Sequence, residues 1–274
     1  MDLLLEPLRH TFLLRGLIGG ILSSLACSAL SAFIVWRRMS FMGDALSHSV
    51  LPGIVVAYIL GINLFWGAMI AALLVVAFIG FISSRTKIGE DAAIGVVFVG
   101  FFALGIIILN KVATARDLSH ILFGNILGVS RIDLIMMGVV ASLVLTVITQ
   151  VFKELLTASF DPAHASAIGL SPSLVRYILL SMLAFTTVAA IQTVGVVLVL
   201  ALLVAPGAAA SLVSKQLKRI VTLSIIIAFL ATIMGFYASY FADIASGPAI
   251  VISLTSMFLV CALVSWLRKF TNAK

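Results

Sequence analysis

The stretch Leu64-Phe-Trp-Gly-Ala-Met-Ile-Ala-Ala-Leu-Leu-Val-Val-Ala-Phe-Ile-Gly-Phe-Ile82 contains no charged side chain. A helix needs roughly 20 predominantly apolar residues to cross the hydrocarbon core of a bilayer, and this stretch has that length. Over the 274 residues, 63% are hydrophobic and only 10% are charged, whereas soluble domains carry about 25% charged residues. The chain has too few polar side chains to cover itself, so its surface must face lipid.

Apolar runs of this length recur along the chain and predict an all-α, polytopic bundle of transmembrane helices. We expect about nine spans, or eight if one kinked helix replaces the two that meet at Gln192–Gly195. The expected spans are Phe12–Trp36, Phe41–Leu60, Leu64–Ile82, Ala92–Leu109, Leu134–Phe152, Leu174–Ile191, Val194–Val213, Ile220–Phe241 and Ala249–Leu267. No low-complexity linker divides the chain, so we expect residues 1–274 to form a single transmembrane domain.

The net charge of +7 reflects membrane topology and does not indicate a nucleic-acid partner. Loops rich in Lys and Arg stay on the cytoplasmic side. With nine spans and the N-terminus outside, twelve of these residues are cytoplasmic: Arg37, Arg38, Arg85, Lys87, Lys153, Arg176, Lys215, Lys218, Arg219, Arg268, Lys269 and Lys274. Five are external: Arg9, Arg15, Lys111, Arg116 and Arg131. We therefore expect a multi-pass protein of the inner or plasma membrane, in contact with lipid.

Two polar residues, Asp44 and His48, lie near the start of the second span. An Asp at the centre of a membrane helix costs about 2.5–3.5 kcal/mol on insertion scales, so Asp44 needs a partner or a function. The i, i+4 spacing puts the two side chains on one helix face, and a carboxylate with an imidazole suits Mn, Fe or Zn. Two structural alternatives stay open: a self-satisfied Asp–His pair, or Asp44 as the N-cap of a helix that restarts after Gly43.

Two other residues are weaker candidates for metal binding. His120 follows Asp117 in the longest outer segment, residues 110–133, where a histidine can equally be a surface group. Asp243 lies at an outer turn shortly before Pro248, where capping or turn formation is the alternative function. Both would act at the metal entrance.

The cytoplasmic segment between the fifth and sixth spans predicts a short helix with defined ends. Asp161 can cap this helix with Pro162 at its first position, and Gly169 can end it in the left-handed conformation. His164 would project from its surface. Such a helix suits a docking partner, although a simple connector between spans is the alternative.

No phosphate loop of the type G-x-x-x-x-G-K-[ST] occurs in these residues, and no nucleophile and base are arranged for catalysis. We expect a transport protein and not an enzyme. If ATP drives transport, a separate polypeptide must hydrolyse it.

Several segments together resemble the permease family of bacterial ABC importers for manganese, zinc and iron. The most specific is M-G-D-A-L-S-H-S-V-L-P-G at 42–53, supported by L-S-H-I-L-F-G-N-I-L at 118–127, F-D-P-A-H-A-S-A-I-G-L at 160–170, V-G-V-V-L-V-L-A-L-L-V-A-P-G at 194–207 and D-x-x-x-G-P at 243–248. The sequence of the 118–127 segment resembles that of manganese and iron permeases more than that of zinc permeases.

The resemblance implies a homodimer with its pathway at the dimer interface, two cytoplasmic ATPase subunits and an extracytoplasmic metal-binding protein. It implies that Asp44 and His48 coordinate the transported metal. It also implies that the segment from Asp161 to Gly169 is the coupling helix that contacts the ATPase. The metal is then a substrate, and we expect no resident cofactor. The alternative is a stand-alone, ion-coupled secondary transporter for metals, which needs neither an ATPase nor a docking helix.

Overall fold

The computed structural model describes residues 9–111 and 128–271. Within these ranges the chain forms twelve α-helices and no strand. They are α1 (Thr11–Trp36), α2 (Met42–Ser49), α3 (Leu51–Ile59), α4 (Leu64–Arg85), α5 (Glu90–Leu109), α6 (Arg131–Gln150), α7 (Phe152–Phe160), α8 (Pro162–Ala167), α9 (Pro172–Val194), α10 (Val196–Val213), α11 (Leu217–Ala242) and α12 (Ser246–Thr271).

Nine segments of this described part are long and apolar enough to cross a membrane: α1, α2 together with α3, α4, α5, α6, α9, α10, α11 and α12. The prediction of a polytopic all-α bundle with about nine spans is confirmed. The sixth and seventh spans are separate helices, because Gly195 adopts a φ of 85° between them. The eight-span alternative, with one kinked helix in this region, is wrong.

The second span differs from the sequence-based expectation of one helix loosened at Pro52 and Gly53. It consists of two helices, α2 and α3, which meet at Val50. Pro52 lies within the first turn of α3, where a residue without an amide N–H interrupts no helical hydrogen bond. The break therefore precedes the proline, and α2 is a short helix that carries the Asp–His pair.

α1 forms the centre of the bundle. It is the most buried of the nine spans and packs against α6, α9, α10 and α11. α12 covers α10 and α11, while α2 and α3 lie with α4, α5 and α9. α2 also contacts α10, so the helix with the polar pair lies between two groups of spans.

Helices α3 and α4 pack closely against each other at Gly53 and Gly67. A Cβ added to Gly53 would lie 2.1 Å from the carbonyl oxygen of Gly67, and one added to Gly67 would lie 2.2 Å from the carbonyl oxygen of Gly53. Small residues allow membrane helices to pack backbone against backbone. This contact fixes the position of α3 and, through it, that of α2.

Candidate functional site

Asp44 and His48 occupy an accessible edge of α2. Nε2 of His48 lies 3.5 Å from Oδ1 of Asp44, and the side chains are 37% and 31% exposed, respectively. The other positions of α2, Met42, Gly43, Ala45, Leu46, Ser47 and Ser49, are buried. The helix therefore presents one carboxylate and one imidazole on a face from which another molecule can approach.

The position of Asp44 within α2 excludes the capping alternative. The helix begins at Met42, the residue before it is Phe41, and no side chain caps this end. Asp44 lies in the first turn and His48 in the last turn. A negative group near the N-terminus interacts favourably with the helix dipole. The prediction that Asp44 and His48 share a helix face is confirmed, whereas their function as ligands stays a prediction.

The serine hydroxyls of α2 do not contribute to the polar face formed by Asp44 and His48. Ser47 Oγ donates to the carbonyl of Gly43 at 2.8 Å, and Ser49 Oγ donates to the carbonyl of Ala45 at 2.5 Å. Both side chains are fully buried. Their hydrogen-bonding capacity is used within the helix, which leaves the carboxylate and imidazole as the polar groups on the accessible edge.

Aromatic rings of α5 border the imidazole. The His48 ring centroid lies 5.7 Å from that of Phe102 and 6.2 Å from that of Phe98, and these two rings stack at 5.9 Å. Phe41 contacts Phe98 at 5.8 Å. The rings therefore cover one side of the imidazole with apolar surface. The i, i+4 spacing of Phe98 and Phe102 was a sequence signal for this border, which was not predicted.

The pair by itself is an incomplete metal site. In the part of the chain that the structure describes, no group of three or more His, Cys, Asp or Glu side chains could hold a metal ion. First-row divalent metals take four or more ligands in proteins. His120 lies outside the described residues. Further ligands would have to come from water, from residues outside the described ranges, or from another polypeptide.

Asp243 does not join Asp44 and His48 in such a group. It follows the last residue of α11 with a left-handed φ of 51°, and its amide donates to the carbonyl of Ser239. The alternative of a turn-forming residue is therefore confirmed. Asp243 also borders a cavity of about 220 Å³ with Ser239, Tyr240 and Ser246, and its function at a metal entrance stays a prediction.

The predicted docking helix is present as α8. The carboxylate Oδ1 of Asp161 accepts the amide N–H of His164 at 2.9 Å, and Pro162 is the first helical residue. Gly169 has a φ of 85°. The amide of Leu170 donates to the carbonyl of Ala165 at 3.0 Å, which completes a Schellman motif. Both predicted ends are confirmed.

α8 is attached to the bundle on one side and exposed on the other. Ala165 is fully buried and anchors the helix, whereas Asp161, Pro162, His164 and Gly169 are exposed. Two apolar side chains beside it, Phe160 and Ile168, are 51% and 55% exposed. A rigid helix with apolar neighbours at the surface suits protein contact; the ATPase as its partner stays a prediction.

Nine spans and a polar pair on a helix edge are features of a multi-pass membrane permease. Residues 9–265 match the model of the ABC 3 transport family, so the chain belongs to this family. The family predicted from the sequence is confirmed, together with a location in the plasma membrane and the class of transport permease.

The relatives cover nearly the whole chain. The chain is 43% identical over 257 residues to the manganese transport system membrane protein MntB of Synechocystis sp., with 94% of this chain and 84% of the relative aligned. It is 39% identical over 267 residues to a probable iron transport system membrane protein of Haemophilus influenzae, covering 97% and 98%.

A solved structure, that of PsaBC from Streptococcus pneumoniae in complex with Fab, has the same fold. It superimposes with a TM-score of 0.82 at 37% identity over 94% of each chain. The arrangement of spans described above is therefore that of an experimentally determined protein chain.

Proposed function

We propose that this chain is the membrane-spanning permease subunit of an ATP-driven importer of divalent transition metals, with manganese preferred over iron and zinc. Asp44 and His48 bind the ion during its passage. The observation that carries the proposal is the 3.5 Å separation of Oδ1 and Nε2 on the accessible edge of an otherwise buried helix. The family and the relatives named for manganese and iron transport support it.

The ligand types favour these metals. A carboxylate oxygen and an imidazole nitrogen suit Mn, Fe and Zn, whereas Cu(I) prefers thiolate and thioether sulfur. Cys27 is buried in α1, and Met39, before α2, and Met42, its first residue, are fully buried, so none of these sulfur atoms is accessible from the face of the pair. The binding site is selective for ions that accept mixed oxygen and nitrogen ligands.

A second copy of the chain completes the site. A two-fold axis beside α2 would bring another Asp44 and His48 opposite the first pair, because isologous interfaces repeat the same surface patch. Phe41, at the same edge, is 50% exposed and would be covered by the partner copy. Four ligands from two chains bind an ion, and separation of the two chains releases it.

Two further partners follow from this function. ATP hydrolysis comes from separate cytoplasmic subunits that contact the exposed face of α8. An extracytoplasmic binding protein delivers the metal to the opposite side. The capped, rigid geometry of α8 supports the first of these contacts, because a helix with fixed ends transmits displacement better than a flexible connector.

The experiment compares metal uptake per assembled complex in proteoliposomes that contain the permease and its ATPase subunits. Asp44→Asn and His48→Ala are expected to abolish Mn²⁺ uptake while assembly remains normal. Matched controls are Asp91→Asn, at an exposed acidic residue of α5, and His10→Ala, at an exposed histidine before α1. Unchanged uptake in both site variants would show that the pair is structural.

The same vesicles separate ATP-driven import from ion-coupled secondary transport. Uptake should require hydrolysable ATP and should stop when the catalytic base of the ATPase subunit is replaced. Uptake driven by an ion gradient without the ATPase would favour the stand-alone transporter. Competition among Mn²⁺, Fe²⁺ and Zn²⁺ then ranks the metals, and preferential uptake of Zn²⁺ would contradict the proposed preference.

A further inference from the structure

The junction between α1 and α2, residues 37–41, attaches the end of α1 tightly to the helix with the Asp–His pair. The amide of Met39 donates to the carbonyl of Ile34 at 2.9 Å, as in a Schellman motif. Arg38 has a left-handed φ of 59°, which a residue with a Cβ adopts only under constraint from its surroundings. The amide of Met42 donates to the carbonyl of Met39 at 2.8 Å, so the turn is held on both sides.

The helix α7, which precedes α8, contacts the C-terminal end of α1. Both the first and the last residue of α7 take part in this contact. The ring centroids of Phe33 and Phe152 lie 6.1 Å apart, and those of Trp36 and Phe160 lie 4.6 Å apart. Phe152 and Phe160 are the first and last residues of α7, and Asp161, the cap of α8, follows directly. A displacement of α8 therefore reaches Trp36 through Asp161 and one ring contact.

Three charged side chains near the junction each have one buried polar atom without a hydrogen-bond partner. Nη1 of Arg37, Oε1 of Glu90 and Nε of Arg176 are buried and have no hydrogen-bond partner among the described residues. Burial lowers the pKa of Arg37; the charge of Glu90 opposes this shift and that of Arg176 adds to it. Arg37 therefore interacts electrostatically with both Glu90 and Arg176, and Arg176 is the fifth residue of α9, the helix that follows α8.

Buried polar atoms that lack hydrogen-bond partners are suited to a segment that changes between two conformations, because they can form new hydrogen bonds in the second one. Nη2 of Arg176 is already held by the carbonyl of Gly80 at 3.0 Å, which leaves Nε for another acceptor. Glu90 and Arg37 already interact electrostatically, and neither Oε1 of Glu90 nor Nη1 of Arg37 has a hydrogen bond that must first be broken. Coupling between two distant sites requires a segment with two conformations, and both sites must influence the equilibrium between these conformations.

We propose that the α1–α2 junction is the relay between the docking helix and the metal site, with Trp36 and Arg37 as its positioning residues. The proposal rests on the proposed function and deepens it. Movement of α8 displaces Phe160 and Trp36, whose rings are in contact, the charges of Arg37, Glu90 and Arg176 rearrange, and α2 turns with the junction. Asp44 and His48 change position relative to their copies in the second chain, which opens or closes the metal site.

The test uses the complete complex with its ATPase subunits and binding protein in liposomes, and measures Mn²⁺ uptake and ATP hydrolysis in the same vesicles. The main variant is Phe160→Ala, because this ring is 51% exposed and its removal leaves the core intact. The matched control is Phe78→Ala, which is 50% exposed and contacts Phe101 at 5.8 Å, away from the junction. Trp36→Phe keeps a ring at the relay position, whereas Trp36→Ala removes it.

If the junction is the relay, disruption of the ring contact uncouples Mn²⁺ transport from ATP hydrolysis. Mn²⁺ transported per ATP hydrolysed falls by about threefold to tenfold in Phe160→Ala, in line with the effect of mutations along a coupling route. Mn²⁺ binding without ATP is unchanged, Trp36→Phe retains most of the coupling, and the double variant Trp36→Ala/Phe160→Ala is no worse than either single variant, because both remove one contact.

A wild-type ratio of transport to hydrolysis in Phe160→Ala overturns the relay, as does an equal fall in the Phe78→Ala control. Loss of Mn²⁺ binding in Phe160→Ala also overturns it, because the ring would then support the site and not its movement. If Trp36→Ala fails to assemble, Phe160→Ala and Trp36→Phe decide the question. Absence of Mn²⁺ uptake by the wild-type complex is a separate result, which contradicts the proposed function.

Discussion

Ser31 and Gly207 are joined by a hydrogen bond across the interface between α1 and α10. The amide N–H of Gly207 donates to Ser31 Oγ at 2.9 Å, and the hydroxyl of Ser31 donates to the carbonyl of Val204 at 3.3 Å. Pro206 lies inside α10, where it removes one donor and distorts the surrounding turn. A serine of the central helix therefore satisfies backbone groups around the proline, as a proline inside a membrane helix requires.

We expect Ser31→Ala to destabilise the protein by about 1–3 kcal/mol, the cost of leaving a buried polar group without its partner. Thermal unfolding of the purified protein in detergent would measure the loss. The matched control is Ser142→Ala, at an exposed serine whose hydroxyl bonds to Gly138 within its own helix. Equal melting temperatures for Ser31→Ala and the wild type would mean that the Ser31 hydrogen bonds do not contribute to stability.

We expect Gly53→Ala to separate α3 from α4 and to destabilise the protein by about 1–3 kcal/mol through overpacking. The added Cβ would lie 2.1 Å from the carbonyl oxygen of Gly67, which is backbone and cannot rotate away. Gly100→Ala is the control, because a Cβ there meets open space and alanine favours a helix. Thermal unfolding should shift in opposite directions in the two variants, and a stabilised Gly53→Ala would contradict the contact.

We expect Gly169→Val to impair coupling while the permease still inserts into the membrane. A β-branched side chain is strained at a φ of 85°, so the end of α8 would be misaligned. Gly89→Val is the control, because Gly89 has equal space and a φ of −60°. The measurement is metal uptake per inserted permease, together with co-purification of the ATPase. Normal uptake in Gly169→Val would argue against a coupling function for α8.

We expect Asp243 to face the outside and Lys215 to face the cytoplasm. The excess of Lys and Arg in the loops on the Lys215 side motivates this orientation. In a chain whose own cysteines have been replaced, an impermeant thiol reagent added to intact cells should modify Asp243→Cys and leave Lys215→Cys unmodified. The opposite labelling pattern would invert the topology and put α8 on the wrong side for an ATPase.

The number of spans was predictable because each depends on a local property. A helix of sufficient apolar length crosses a bilayer whatever its neighbours are, so hydropathy indicated nine segments. The ends of α8 were predictable for the same reason. Asp161 caps the amide three residues ahead, and Gly169 adopts a conformation that its missing Cβ permits.

The break in the second span was harder to predict. Pro52 and Gly53 indicated irregularity at their own positions, but the helix changes at Val50. A proline is compatible with the first turn of a helix and incompatible with the turns that follow it. The sequence therefore marked the region of the break, and the structure places the break before the proline.

By itself the sequence determined the class of protein, its family, the spans and the pairing of Asp44 with His48 on one helix face, because these depend on residues within a few turns of each other. Only the tertiary structure decided what surrounds that pair. The rings of Phe98 and Phe102 beside His48, and the charges of Glu90 and Arg176 around Arg37, come from helices distant in the sequence. No local pattern specifies which faces of two apolar helices meet, because lipid-facing and helix-facing residues in a membrane are alike in hydrophobicity and differ mainly in how closely they pack.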